Sequence, residues 1–223
     1  MTPRNPRRLH GLHVLADDDP RWPLDPCEQA EAACRGGAAV VQLRCKHSPD
    51  RRTLAWGKTI RSETRKSGTL FFVNDRFDLA LALGADGVHL GQDDLPPHRI
   101  PAAARDRLLV GHSTHTLDQA QAARLENLDY VALGPIFGTT SKDSAWPAPG
   151  LSGLREAARA VSPLPLIAIG GIDCERAGEI VRAGASGAAV VSAVAGSADP
   201  VAATRLLVEA LAAAKRPESD RPD

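Results

Sequence analysis

Short apolar runs recur eight times along the chain, at Leu12–Ala16, Ala39–Arg44, Leu70–Val73, Gly87–Leu90, Leu108–Gly111, Tyr130–Leu133, Leu166–Ile169 and Ala188–Val191. They are near-continuous rather than alternating, which is the pattern of strands covered on both faces. Between them the apolar positions switch to helical spacing. Strands alternating with helices predict an α/β fold with a parallel sheet, and the count of eight points to a closed (β/α)8 TIM barrel.

Local signals bound the helices. Asp25-Pro26, Ser48-Pro49 and Asp199-Pro200 each set a capping side chain before a proline suited to the first helical position. Glu28 stands where a capping box needs its reciprocal partner. Gly36-Gly37, Gly84 and Gly184 mark helix ends just ahead of the next strand. The segment Arg76–Leu83 leaves room for about two turns. In the last helix, Val201–Ala214, the residues Ala203, Leu206, Leu207, Ala210, Leu211 and Ala214 form the expected apolar stripe. No linker interrupts this alternation. One barrel domain over residues 11–214 is expected, after a basic extension (1–10) and before a polar, proline-containing tail (215–223).

Composition narrows the functions. The 223 residues carry 27 Lys plus Arg and 27 Asp plus Glu, so no net charge draws the chain to nucleic acid or an anionic membrane. Hydrophobic residues at 43% exclude a disordered chain, and aromatics at 4% are too few for base-stacking platforms. The four cysteines, Cys27, Cys34, Cys45 and Cys174, form no C-x-x-C pair and read as reduced, packed thiols. No apolar run follows the basic N-terminus, and none approaches the roughly 20 residues that span a bilayer. A cytoplasmic protein is expected.

In a β/α barrel the active site sits at the C-terminal ends of the strands, and polar residues collect there in this chain. Strand two runs into Gln42-Leu43-Arg44-Cys45-Lys46, strand three into Asn74-Asp75, and strand four into Gly91-Gln92-Asp93-Asp94. Strand five leads into His112-Ser113-Thr114-His115, and strand six into Gly138-Thr139-Thr140-Ser141-Lys142. Strand seven ends at Gly170-Gly171 and strand eight at Ser192.

Two chemistries suit this collection. Gly170-Gly171 with Ser192 and the following amides matches the phosphate site that loops seven and eight commonly build, and location and serine agree on it over the alternative of a tight βα turn. Asp75 and Asp94, at neighbouring strand ends, are placed to share one Mg²⁺, which takes one or two carboxylates plus phosphate oxygens. With Arg44, Lys46 and Lys142 around them they would form a pyrophosphate site; a set of rim salt bridges is the alternative. Gln42 and Asn74 each offer a donor and an acceptor to a heteroaromatic ring. His89 reads as a satisfied interior residue. His112 and His115 stay undecided between loop hydrogen bonding and acid–base roles.

These segments, together with Ala85-Asp86-Gly87-Val88-His89-Leu90, Asp129-Tyr130-Val131, Gly134-Pro135-Ile136-Phe137 and Ala168-Ile169-Gly170-Gly171-Ile172, resemble thiamine phosphate synthase. The resemblance runs from about Gly11 to Leu211. It implies a transferase that joins hydroxymethylpyrimidine diphosphate to thiazole phosphate, or its carboxylated form, releasing pyrophosphate. Carried over, the pyrimidine diphosphate contacts are Gln42, Leu43, Arg44, Cys45, Lys46, Asn74, Ser113 and Lys142. One Mg²⁺ would be held by Asp75 and Asp94. The thiazole phosphate contacts would be Thr139, Thr140, Ser141, Gly171, Val191 and Ser192.

The implied chemistry is ionisation at the pyrimidine methylene, then capture by the thiazole nitrogen. Arg44, Lys46, Lys142 and Ser113 are then the residues expected to carry catalysis, by stabilising leaving-group charge. Two departures stand out: Cys45 replaces a usual acidic residue, and Gly138-Thr139-Thr140-Ser141-Lys142 replaces a Pro-Thr-x-Thr-Lys loop. The expected partners are phosphorylated small molecules, with a homodimer compatible. Two other readings are a thiazole tautomerase, which would use a histidine where His115 stands and need no metal carboxylates, and a non-catalytic barrel that senses phosphorylated precursors.

Overall fold

The computed structural model describes residues 9–138 and 146–215. Eight parallel strands close in sequence order: β1 (Gly11–Asp17), β2 (Val40–Arg44), β3 (Leu70–Asn74), β4 (Gly87–Leu90), β5 (Leu109–Thr114), β6 (Tyr130–Leu133), β7 (Leu166–Ile169) and β8 (Gly187–Val190). The helices are α1 (Pro26–Gly36), α2 (Asp50–Ser67), α3 (Phe77–Ala82), α4 (Ala102–Arg105), α5 (Leu117–Ala123), α6 (Gly150–Val161), α7 (Cys174–Arg182), α8 (Ser192–Ala195) and α9 (Pro200–Ala214). The expected (β/α)8 barrel is therefore present. Among the described residues no helix is long and apolar enough to cross a membrane.

Strand alternation splits the apolar residues into two cores. One set, including Val14, Val41, Leu43, Phe71, Val73 and Val88, packs outward against the helices. The other, including Leu15, Val40, Leu70, Phe72, Tyr130, Ala132, Ile167 and Ala189, fills the barrel interior. Leu9, ahead of the first strand, is fully buried within that interior set. Two rings dominate the interior because their neighbours are glycines. A Cβ on Gly87 would lie 2.4 Å from the Phe72 ring, and one on Gly111 would lie 2.1 Å from Tyr130 Cζ.

The caps follow the sequence in two of three cases. Asp25 accepts from the amides of Cys27 and Glu28 while Glu28 accepts from the Asp25 amide, a complete capping box on α1. Asp199 caps α9 by accepting from Ala202 N. At α2, Pro49 rather than Ser48 takes the cap position, with no side-chain cap. The Pro49 carbonyl already accepts from Arg52 and Thr53 N–H, so the helix starts one residue later than expected. In α9 the buried positions are Thr204, Leu207 and Leu211, whereas Leu206 is 56% exposed. The stripe is narrower than the pattern suggested because α9 packs mainly on α1 and α7.

β5 extends through Thr114, where the sequence pattern ended it at Gly111. The additional residues are polar, but they pair in register, Ser113 with Ala132 and Thr114 with Leu133, and Thr114 Oγ1 donates to Ala132 O. α8 was not legible either, being one uncapped turn between β8 and α9. Asp86 and Asp129, both within the family-like segments, stand just ahead of β4 and β6. Asp86 accepts from Phe71 N and pairs with Arg61; Asp129 accepts from Val110 N and pairs with Arg105. They tie strands to helices at the barrel end opposite the catalytic face, where a stabilising role is the rule.

Candidate active site

The C-terminal strand ends surround a cavity of about 470 Å³. It is lined near its mouth by Arg44, Lys46, Asp75 and Asp94, and reaches inward to His13, Leu15 and Tyr130. Gln42, Asn74, Ser113, Gly171, Val191 and Ser192 also face it. Ten of the residues singled out in the sequence thus converge on one space, drawn from six strands. Period-two alternation is the reason: Gln42 and Arg44 point inward, and Lys46 follows the same face.

The same alternation corrects two expectations. The Leu43 side chain is buried in the outer core, and Cys45 packs against that core rather than lining the cavity. Burial pushes the Cys45 thiol up to about 11. A residue between two inward-facing neighbours on a strand cannot share their face. Thr139, Thr140, Ser141 and Lys142 lie outside the described residues.

Gln42 is 3% exposed, and its Oε1 is buried without a hydrogen-bond partner among the described residues. A buried carbonyl left unpaired costs about 1–3 kcal/mol, so this atom marks where a ligand N–H would be welcome. Asn74 Nδ2 donates to His89 O at 3.3 Å. Around the rim the charges are paired in this state. Arg44 Nη1 donates to Asp17, which is 2% exposed and also accepts from Trp22 Nε1 and Asp19 N. Lys46 pairs with Asp75.

Asp75 has φ 64°, and among the described residues it is the one non-glycine with positive φ. Such backbone is sparsely populated and tends to be retained where function holds it. Its amide donates to His89 O at 2.7 Å. Asp94 accepts from Gly91 N at 2.6 Å. Burial, and then the adjacent Asp75, push the Asp94 carboxyl above its ordinary value. Two carboxyls this close repel when both are ionised.

At the other end of the cavity Gly170 and Gly171 have φ 99° and 65°, which excludes ordinary side chains. Arg176 donates to Gly171 O at 2.7 Å and stacks its guanidinium 4.9 Å from the Phe137 ring, which stiffens this turn. Val191 and Ser192, at the start of α8, close the same corner.

The histidines separate into distinct roles. His89 is buried and satisfied, as the sequence suggested, with Nδ1 2.7 Å from the Tyr130 hydroxyl and Nε2 2.8 Å from Ser113 Oγ. Burial, then nearby His13 and His112, lower it to about 3. His13, not singled out in the sequence, donates from Nε2 to Leu9 O and is lowered by burial to about 4. His112 turns away from the cavity, and burial lowers it as well. His115 lines the cavity, donates from Nδ1 to Gly134 O at 2.6 Å and stacks on Trp146 with ring centroids 5.3 Å apart. Asp17, Tyr130 and Trp146 were also missed by sequence reasoning. Asp17 could have been found, since it ends β1 as the other site residues end theirs.

Comparison with known proteins agrees with this arrangement. The family profile for thiamine monophosphate synthase matches residues 12–194. Thiamine-phosphate synthase from Methanoculleus marisnigri is 45% identical over 206 residues, covering 92% of this chain and 97% of that protein. The synthase from Roseiflexus castenholzii is 49% identical over 201 residues, covering 90% and 88%. The solved thiamine phosphate pyrophosphorylase from Pyrococcus furiosus superimposes with a TM-score of 0.84 at 36% identity, over 95% of this chain and all of that one. With this likeness running through almost the whole barrel, the chain belongs to the thiamine phosphate synthase family.

Proposed function

We propose that this cavity joins hydroxymethylpyrimidine diphosphate to thiazole phosphate, giving thiamine phosphate and pyrophosphate, with the roles divided as follows. The pyrimidine lies inside the barrel mouth, where the unpaired Gln42 Oε1 accepts from its amino group. This orphaned buried acceptor is the observation that carries the reading, because it asks for a guest that brings an N–H donor into the barrel mouth. The diphosphate then extends to the rim, toward Arg44, Lys46, Asn74 and Ser113. The thiazole phosphate sits at Gly171, Val191 and Ser192, where glycine backbone allows close approach.

The donor set fits a Mg²⁺ ion. Asp75 and Asp94 are adjacent, and burial first, then Asp75, raise the Asp94 carboxyl; a hard cation between the two would favour both in their ionised form. Among the described residues no three His, Cys, Asp or Glu side chains converge as ligands, so phosphate oxygens would complete the shell. When bound, Mg²⁺ supplies neutralising charge to the pyrophosphate oxygens. It would also draw Asp75 away from Lys46 and leave that ammonium to the phosphate.

The protein's own groups do the rest. The C–O bond at the pyrimidine methylene breaks with its electron pair leaving on pyrophosphate, and the thiazole nitrogen lone pair forms the new C–N bond. No protein proton is consumed. Arg44, held in place by Asp17, and the Ser113 hydroxyl meet charge growing on the leaving oxygens. The apolar wall of Leu15, Ile167 and Ala189 excludes water from the electron-poor methylene. Both substrates are charged esters that do not cross membranes unaided, so we place the reaction in the cytoplasm.

The test is direct. Wild-type protein supplied with both substrates and Mg²⁺ should release thiamine phosphate and pyrophosphate in equal amounts. Gln42→Met should raise KM for the pyrimidine diphosphate about tenfold, with KM for the thiazole phosphate unchanged. An unaltered pyrimidine KM would remove Gln42 from the ring site.

A further inference from the structure

Tyr130, His89 and Ser113 form a hydrogen-bonded chain from the barrel axis to the cavity wall. The Tyr130 hydroxyl is 2.7 Å from His89 Nδ1, and His89 Nε2 is 2.8 Å from Ser113 Oγ. The rings of Tyr130 and His89 stack with centroids 5.4 Å apart and 23° between planes. At the far end the Ser113 backbone is pinned twice, by its pairing with Ala132 and by Gln92 Nε2 donating to Ser113 O at 2.6 Å.

The polarity of this chain follows from the donors and acceptors available. Tyr130 is 1% exposed, and among the described residues His89 Nδ1 is the hydrogen-bond partner of its hydroxyl. A buried phenol with one partner donates its O–H to that partner, because an O–H left without an acceptor is costly. His89 Nδ1 is then the bare, accepting nitrogen. A neutral imidazole has a single N–H, so that proton is on Nε2 and is donated to Ser113 Oγ. The serine oxygen, already accepting, has its own O–H free to point into the cavity.

We propose that His89 is a positioning residue: locked in one tautomer by Tyr130, it engages a lone pair of Ser113 Oγ and turns the Ser113 hydroxyl proton toward the leaving diphosphate. The proposal rests on the reading of Ser113 as a diphosphate contact. The opposite polarity would have a very different consequence. Were Ser113 to donate to His89, its oxygen would present only lone pairs to an anion and repel it. The tautomer of a residue whose two ring nitrogens are committed to Tyr130 and Ser113 therefore decides whether Ser113 attracts or repels the leaving group. Gly111 is part of the same device, since any side chain there would displace the Tyr130 ring.

Two measurements test this, one of them independent of activity. In ¹⁵N-labelled wild-type protein, the His89 ring signals, assigned by their loss in His89→Leu, should show a protonated Nε2 and a bare Nδ1. In kinetics, Ser113→Ala should lower kcat about 10- to 100-fold, the effect of one hydrogen bond to a charged group. His89→Leu should lower kcat about tenfold in the wild-type background and have no further effect in Ser113→Ala. His89→Gln, which keeps an N–H near Ser113, should recover part of that loss, and Tyr130→Phe should show the same dependence on Ser113. A protonated Nδ1 overturns the proposal, and so does a His89→Leu loss of equal size in both backgrounds, which would be a merely structural effect. If Ser113→Ala keeps full kcat, the diphosphate role of Ser113 is what fails, and the proposal falls with it.

Discussion

Arg44 at the end of β2 is anchored by Asp17 at the end of β1, a carboxylate that is 2% exposed and further held by Trp22 Nε1. The two residues are direct register partners. Arg44 is 18% exposed in its side chain, so its guanidinium is held at the rim rather than sampling solvent. Preorganised charge of this kind needs no reordering when a leaving group develops its own.

That anchoring can be measured. Asp17→Ala frees the guanidinium and removes the acceptor of the Trp22 indole, and kcat/KM for the pyrimidine diphosphate should fall about tenfold or more. Asp17→Asn keeps a neutral acceptor and should fall less. Equal kinetics for both variants and the wild type would mean that Arg44 does not act on the diphosphate.

The carboxylate pair predicts metal dependence. Asp75→Asn should abolish most turnover while the circular dichroism spectrum and urea midpoint stay close to those of the wild type. Activity should vanish in excess chelator and return with added Mg²⁺. Full activity in chelator would exclude the assignment of Asp75 and Asp94 as metal ligands.

His115 separates condensation from tautomerisation. Its Nδ1 is committed to Gly134 O, and the condensation asks no proton of it. His115→Ala should therefore retain measurable thiamine phosphate formation, with a modest loss from the missing stack on Trp146. A wild-type enzyme that only isomerises the carboxylated thiazole phosphate, and loses this activity in His115→Ala, would reverse the reading.

Two buried imidazoles should make the fold acid-sensitive. His13 is lowered to about 4 and His89 to about 3, both through burial, against 6.5 for an unfolded histidine. Between those values the unfolded chain binds protons that the folded one does not, so stability falls as pH falls below about 6.5. Each group contributes a slope of about 1.4 kcal/mol per pH unit, ending for His13 near pH 4 and for His89 near pH 3. Urea unfolding of wild type and His13→Gln across pH 4–7 measures it, and the variant should show the shallower slope.

The interior packing gives a last prediction. Gly111→Ala sets a methyl group 2.1 Å from Tyr130 Cζ, so the ring must move. Overpacking of this sort costs about 1–3 kcal/mol, read as a lower urea midpoint. Gly84→Ala, with open space around its Cβ position but φ 58°, should lose stability through backbone strain without disturbing Tyr130.

What the sequence determined by itself is the barrel and the location of its chemistry. Strand count, the apolar runs and the caps at Asp25 and Asp199 are local features, written in propensity and period, and they need no partner to be read. The polar residues at strand ends were legible for the same reason, since the fold class alone says which end of each strand is catalytic. Only the tertiary structure decided which of them face one another. Leu43 and Cys45 turn outward while Gln42 and Arg44 turn inward, because closure and register choose the face. The strand character of Ser113 and Thr114 came from pairing with β6, against a polar sequence. The ion pair of Arg44 with Asp17 spans 27 positions, and the bond of His89 to Tyr130 spans 41. Contacts that far apart along the chain exist only once the barrel closes, and they assign the tautomer of His89 and the aim of Arg44.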